Sequence, residues 1–424
     1  MPKKNLSDHA AARPSALLER PWLFGLLIAP MAVLSNGIIG GGGLSYLFRT
    51  QGVDMARGAE IIALLNLPQI IYFLWSPLTD FWIRRRSWLM IAATTAAVCM
   101  LFAFQRPLLA SSSAVALIFL SACIGQLVIA ACGGMMGSLH SEVSRRRAGS
   151  FYQGGSLGFG AVALFVLTFL SERMHLGTLG WIAAAMIALP SLAALAAPEQ
   201  DVVSERTLKE TVARIAQEAK TTFLRWEAIP YTLTCMFPMG SGAMIQLLPG
   251  LARDYHVSGH QVGWINGVAG SLLMAAGAVA YPLIPTRVRA PVAYLTVGLI
   301  NEATLAIVWL GPLRPSTYLI GSTLFLFTVG ASYAGFTSVV LEFLGKSGKS
   351  GSARYSIINS LGNIPVASMV LIDGLGYAHW GIRGMPGIDV VVGSVASLSM
   401  LAYFLTHPRK PASDPQPGDI PVAA

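Results

Sequence analysis

Charge is scarce in this sequence: only 12% of the 424 residues are Asp, Glu, Lys or Arg, against about 25% in soluble domains. With 54% hydrophobic residues, such a chain cannot hide its apolar surface in a water-facing fold, which excludes a soluble globular architecture. Cysteine is equally sparse. The four, Cys99, Cys123, Cys132 and Cys235, fall inside apolar stretches without metal-type spacing, so they argue for packing and against a disulfide framework or a zinc site. The seven histidines, His9, His140, His175, His256, His260, His379 and His407, all lie outside the interiors of those stretches. No Ser/His or metal constellation therefore supports an intramembrane enzyme. A removable signal peptide is not expected either, because residues 1–20 are polar, with Lys3, Lys4, Arg13 and Arg20, and the first apolar run lacks a small-residue cleavage site.

What is abundant is apolar runs long enough to cross about 30 Å of hydrocarbon, which takes about 20 helical residues each. They fall near 22–46, 59–82, 88–105, 113–136, 151–171, 178–197, 229–252, 261–284, 291–311, 317–343, 354–376 and 388–406. The expectation is an all-α integral membrane protein of twelve transmembrane helices. If both termini face the cytoplasm, 22 of the 29 Lys and Arg lie on that side and 7 on the other, the bias that orients membrane proteins. Topology thus accounts for the net charge of +9, and no nucleic-acid partner is implied.

One long hydrophilic stretch, Pro198 to Glu227, divides the chain. Within it Leu208, Val212, Ile215 and Phe223 alternate with Lys and Glu, as in a helix lying on a membrane surface. The expected organisation is a cytoplasmic tail at 1–21, a six-helix bundle at 22–197, a cytoplasmic linker at 198–228, a second bundle at 229–406 and a disordered cytoplasmic tail at 407–424. A repeat supports the division. Ser76-Pro77-Leu78 is echoed by Tyr281-Pro282-Leu283, and Glu142, Gly149-Ser150, Tyr152 and Ser156-Leu157-Gly158 recur as Glu342, Gly351-Ser352, Tyr355 and Ser360-Leu361-Gly362. Two six-helix halves in repeat describe the major facilitator architecture, with a solute site between the halves.

Asp80 closes span 2 just ahead of Arg84, Arg85 and Arg86, a pattern that looks like the facilitator loop motif. A carboxylate there can hold a gate shut against the positive N-terminus of span 11 and a nearby Arg. The run Phe73-Leu74-Trp75-Ser76-Pro77-Leu78-Thr79-Asp80 resembles the F-L-W-S-P-L-x-D run of the AmpG-like permeases, within the peptide, acetyl-CoA and drug transporter group. Gly40 to Gly43 with Leu44, then Tyr46-Leu47 and Gly52-Val53, also look like that family. The resemblance implies an ion-driven secondary transporter of muropeptide-like or, as in sister branches, siderophore-like solutes; the expectation is a monomer of the inner membrane that imports its solute, coupled to protons. Where AmpG-like proteins carry Asp-Ala-Tyr late in span 4, this chain has Cys132-Gly133-Gly134-Met135-Met136-Gly137-Ser138 and lacks the acid.

Intramembrane acids cost roughly 2.5–3.5 kcal/mol to insert, so each is a functional candidate. Glu302, near mid-depth of span 9, and Asp373, near the outer end of span 11 where it can face water, are the proton-coupling candidates. Glu142 and Glu342 occupy equivalent inner ends of spans 4 and 10, where they can pair with Arg145 or Arg354 in gating. Solute contacts are expected from Asn36, Asn66, Gln69, Tyr72, Gln126, Gln246, Asn266, Tyr333, Asn359 and Asn363. That set is uncharged and suits a neutral or zwitterionic organic solute. Gly345-Lys346-Ser347 and Gly348-Lys349-Ser350 lack the upstream glycine and strand of a phosphate loop. Export of drugs, or sensing on a transporter scaffold, are the alternatives to import.

Overall fold

The computed structural model describes residues 20–137, 139, 142–197, 228–236, 242–285, 287–344 and 351–407, and the isolated positions 210, 213 and 217. Most of the linker and both tails expected from the sequence lie outside them. In hydrocarbon every backbone amide must be satisfied within its own segment, and the described residues form helices joined by short turns. Eight stretches are long and apolar enough to span a membrane on their own, and a bent pair makes a ninth. The last of the eight, Ser360–Thr406, contains two helices. Span 2 falls short of that length because 3-10 turns follow its helix at Ile71, and span 7 is described as two shorter helices.

In chain order the segments are span 1 (Leu23–Ile39 and Gly43–Thr50), span 2 (Met55–Ile71, continued to Asp80 by 3-10 turns), span 3 (Arg85–Phe104), span 4 (Ser112–Gly137), span 5 (Glu142–Ser171) and span 6 (Leu176–Ala188 and Leu189–Ala196). Span 7 (Ile229–Met236 and Ala243–Leu251), span 8 (Gly259–Leu283), span 9 (Ala290–Leu310), span 10 (Pro315–Leu344), span 11 (Gly351–Trp380) and span 12 (Gly384–Thr406) complete the set. The face where span 1 begins and span 12 ends is called here the terminal face, and its opposite the distal face.

Several helices exceed the hydrophobic runs. Span 5 starts at Glu142 rather than 151, span 11 covers Gly351–Trp380 rather than 354–376, and span 12 starts at Gly384 rather than 388. Hydropathy registers only the hydrocarbon-embedded part, whereas a helix continues through the interface, where water satisfies polar side chains.

The repeat at an offset near 200 is visible in the backbone. Gly42, at φ +89°, and Gly242, at φ +70°, each break the first span of a half and open its distal piece. Both positions require the left-handed conformation that glycine adopts without strain. Spans 2 and 8 likewise end in 3-10 turns, Ser76–Asp80 and Tyr281–Leu283, each with proline in its first turn. The halves meet along span 1 with span 7, span 2 with span 11 and span 5 with span 8. Small residues allow the close approach: Gly263 lies against Phe165 and Thr168, and Gly267 against Ala161.

Candidate functional site: a polar cavity between the halves

At mid-depth the seam encloses a void of about 220 Å³, bounded by Asn36, Gln69, Gln246, Asn266, Tyr333 and Asn363. A second lobe of about 170 Å³ shares Ser35, Asn36, Gln69 and Asn363 with the first and extends toward the terminal face past Tyr72, Gln126 and Tyr152. Among the described residues, no Lys, Arg, Asp or Glu lines either lobe. Larger hollows of about 570 and 450 Å³ lie each within one half, beside Arg287, Arg289 and Glu342 and between spans 2 and 4, so neither forms a route along the seam.

Local helix geometry aims the amides inward. Span 1 carries a π-helical segment at Ala32–Ile39 and span 8 another at Gly263–Ala269, the kind of widened turn found at functional sites. These segments hold Ser35, Asn36 and Asn266. Asn36 Nδ2 donates to Ser156 Oγ at 2.8 Å, Gln69 Nε2 to Ser35 Oγ at 2.9 Å, and Asn363 Nδ2 to the Gln69 carbonyl at 3.4 Å. Tyr318 donates its hydroxyl to Asn266 Oδ1 at 2.8 Å, leaving Asn266 Nδ2 without an acceptor, as is Gln126 Nε2. Two buried donors at a cavity wall can bind acceptors on a solute.

Eight of the ten residues expected to contact solute therefore line one lobe or both. Asn66 does not: it is 2% exposed and donates to Gln246 Oε1 at 2.8 Å, because its place on span 2 faces span 7. Asn359 lies, by its side chain, outside the described residues, as do Asp80, Glu142, Arg145 and Arg354.

Two of the remaining gating candidates make hydrogen bonds within their own halves. Arg85 donates to the Gly134 carbonyl at 2.7 Å, tying span 3 to span 4. Glu342 accepts from Tyr231 Oη at 3.0 Å and from the backbone N–H of Ala290 at 3.0 Å, at the first turn of span 9. Arg84 and Arg86 stand at the start of span 3 on the terminal face.

Polar closure between the halves is built at the distal face, by residues that sequence reasoning did not single out. Arg49 pairs with Asp254 at 2.8 Å, and Arg253 donates to the Arg49 carbonyl at 3.0 Å. Glu172 Oε1 accepts from Tyr46 Oη at 2.8 Å and from the Gly259 N–H at 2.7 Å. In the sequence Arg49 and Arg253 are two of the seven basic residues on the far side; their matching places at the distal ends of spans 1 and 7 are the available signal.

Neither proton-coupling candidate lines the cavity. Asp373 does not face water but is fully buried, because span 11 runs seven residues past it to Trp380. A third acid, Asp389, is buried as well; it lies at the second residue of the hydrophobic run 388–406 and is not among the sequence candidates.

Two helical bundles meeting at a polar cavity define a membrane carrier of the alternating-access class. The Major Facilitator Superfamily model matches residues 26–367. Solved structures of the same fold include the nucleoside transporter NupG, 13% identical with TM-score 0.68, covering 91% of this chain and 98% of that one. The D-xylose-proton symporter is 16% identical with TM-score 0.66, covering 91% and 96%. A POT family transporter in complex with 5-aminolevulinic acid is 12% identical with TM-score 0.66, covering 91% and 96%. No curated protein sequence matches significantly. The chain belongs to the Major Facilitator Superfamily, and is a solute transporter rather than an enzyme.

Proposed function

We propose that this transporter imports an uncharged or zwitterionic organic solute, driven by protons, across the cytoplasmic membrane, with its terminal face inward. The observation that carries the substrate class is the cavity wall, made of amides, hydroxyls and tyrosines without a formal charge. An anionic solute would leave its charge unpaired there, which burial penalises heavily. The lobes are small beside the roughly 300–1,000 Å³ of typical ligand pockets, which favours a compact solute, such as a sugar or short-peptide piece of the muropeptide-like compounds that the AmpG-like resemblance implies. Inward orientation of the terminal face rests on the Lys and Arg asymmetry.

A thermal-shift screen of the purified protein against N-acetylglucosamine, alanyl dipeptides, citrate and spermidine tests the class. The expected result is stabilisation by neutral and zwitterionic probes, weakened by Asn36→Ala, Gln69→Ala or Asn363→Ala. Stabilisation by citrate or spermidine alone would overturn it. Uptake of the stabilising probe into proteoliposomes, dependent on an inward proton gradient, then tests direction and coupling.

A further inference from the structure

Spans 9, 11 and 12 bury three carboxylates away from the solute cavity. Asp373 is fully buried, Glu302 is 2% exposed and Asp389 7%. Asp373 and Asp389 face each other where spans 11 and 12 pack, with Glu302 beside them. The Glu302 carboxyl occupies the space that a Cβ at Gly393 of span 12 would fill. Asp373 lies seven residues from the distal end of its helix, Asp389 five and Glu302 eight, so all three sit about 7–12 Å inside the distal face at 1.5 Å per residue.

Buried carboxylates require a counter-charge or a proton. Among the described residues neither Asp373 nor Asp389 forms an ion pair, and both Asp373 oxygens are buried without a donor. The titratable groups facing Asp373 are Asp389 from span 12 and Glu302 from span 9, with Tyr294 further along span 9 close enough to feel Glu302. From span 2, Ala59 and Ala56 come nearest to Gly374. A second observation also points to a missing partner: Ser397 Oγ is fully buried and unbonded, on the same face of span 12 as Asp389 and Gly393, at four-residue spacing. The chemistry that meets these demands is a proton shared by the Asp pair, which supplies the missing donor and removes one negative charge.

Span 11 connects this cluster to the cavity. The helix carries Asn363 at the cavity, Pro365 two residues on, and Gly374, next to Asp373, packed on span 2 of the other half. We propose that Asp373 and Asp389, with Glu302, form a proton-binding site separate from the solute cavity, and that span 11 couples its occupancy to the seam between the halves. A proton arriving from the distal side bonds to one carboxylate oxygen, leaving the pair with one O–H donor and one negative charge. Its departure restores two acceptors. The coupling clause rests on the transport reading; the binding clause does not.

Infrared difference spectroscopy of the full-length protein in lipid, during pH steps, tests the site without a solute. The expected result is a protonated-carboxyl band at neutral pH, lost in part in Asp373→Asn and in Asp389→Asn, and unchanged in Glu60→Gln, whose carboxylate is exposed and paired with Arg57. Monodisperse elution of either Asn variant makes its spectrum decisive. A band untouched by both overturns the site, and a band abolished when sodium replaces choline at constant pH shows a sodium site instead. For coupling, impermeant maleimide should label Ser271→Cys, a position on the cavity wall, at a rate whose pH dependence Asp373→Asn reduces. Equal pH dependence in both overturns the coupling while leaving the carboxyl band as the separate test of the site.

Discussion

Asn66 of span 2 donates its side-chain amide to Gln246 Oε1 of span 7 at 2.8 Å, joining the two halves through a contact from which water is excluded. Interhelical hydrogen bonds in membranes average only about 0.6 kcal/mol. Leaving a buried amide without its partner costs more, about 1–3 kcal/mol. Asn66→Ala should therefore destabilise the protein by about 1–3 kcal/mol, while Asn66→Leu combined with Gln246→Leu recovers part of the loss. Unfolding in detergent measures both; a double variant less stable than the single one refutes the argument.

The broken spans make a second expectation, in which strain and crowding can be separated. Gly42, Gly52 and Gly242 all have positive φ, at +89°, +76° and +70°. A Cβ at Gly42 would collide with the Pro249 ring, and one at Gly242 would meet Tyr333 Oη at 2.9 Å, whereas nothing lies within 4 Å of one at Gly52. Left-handed backbone alone costs a non-glycine residue about 1 kcal/mol or more. Gly52→Ala should lose about that much, and Gly42→Ala and Gly242→Ala clearly more, in thermal unfolding measured side by side. Equal losses at all three would show that crowding is absent.

Much of this was legible in the sequence, because the bilayer imposes its thickness on every span and makes charge at mid-depth costly, so polar residues there stand out. The amides Asn36, Gln69, Gln246, Asn266 and Asn363 stood out as polar residues at mid-depth, and the structure brings them to one seam. Contacts between distant segments were not legible. Arg49 and Asp254 are 205 residues apart, and nothing in the sequence around either one announces the other. Asp389 escaped for a different reason: hydropathy starts span 12 four residues late, and an acid at a presumed helix end looks solvated.

Asp254 lies beyond span 7, where its charge state can be tied to the distal closure. Burial pushes its carboxyl up from the ordinary range, and the Arg49 charge and hydrogen bond, Arg253 and His256 pull it down by less. The closed state therefore binds a proton more readily than a state in which Asp254 is in water. By linkage, acidification stabilises the state with the higher pKa, so closure should strengthen as pH falls toward the ordinary carboxylate range, about 4. Maleimide labelling of Asn266→Cys from the distal side should slow accordingly, and Asp254→Asn should remove that part of the slope. The effect is small because the group is partly solvated. Faster labelling on acidification would reverse the assignment.

Gly374 offers a test of the seam that leaves each half intact. It sits in the regular helix of span 11, so alanine there carries no backbone strain, but the added Cβ would lie 2.6 Å from Ala59 Cβ and 3.3 Å from the Ala56 carbonyl of span 2. Those contacts are between halves, and they can be relieved only by moving span 11 away from span 2. Packing within each half, such as span 3 on span 4 or span 9 on span 10, is untouched. Gly374→Ala should thus cost little global stability while loosening the distal closure, raising distal maleimide labelling of Ser271→Cys several-fold. Gly158→Ala, where no atom lies within 4 Å of the new Cβ, should leave the rate unchanged. The native cysteines, buried or half-buried, give a low background. Unchanged labelling in Gly374→Ala would mean that spans 2 and 11 do not carry the closure, and would shift that role to the Arg49 and Glu172 contacts alone.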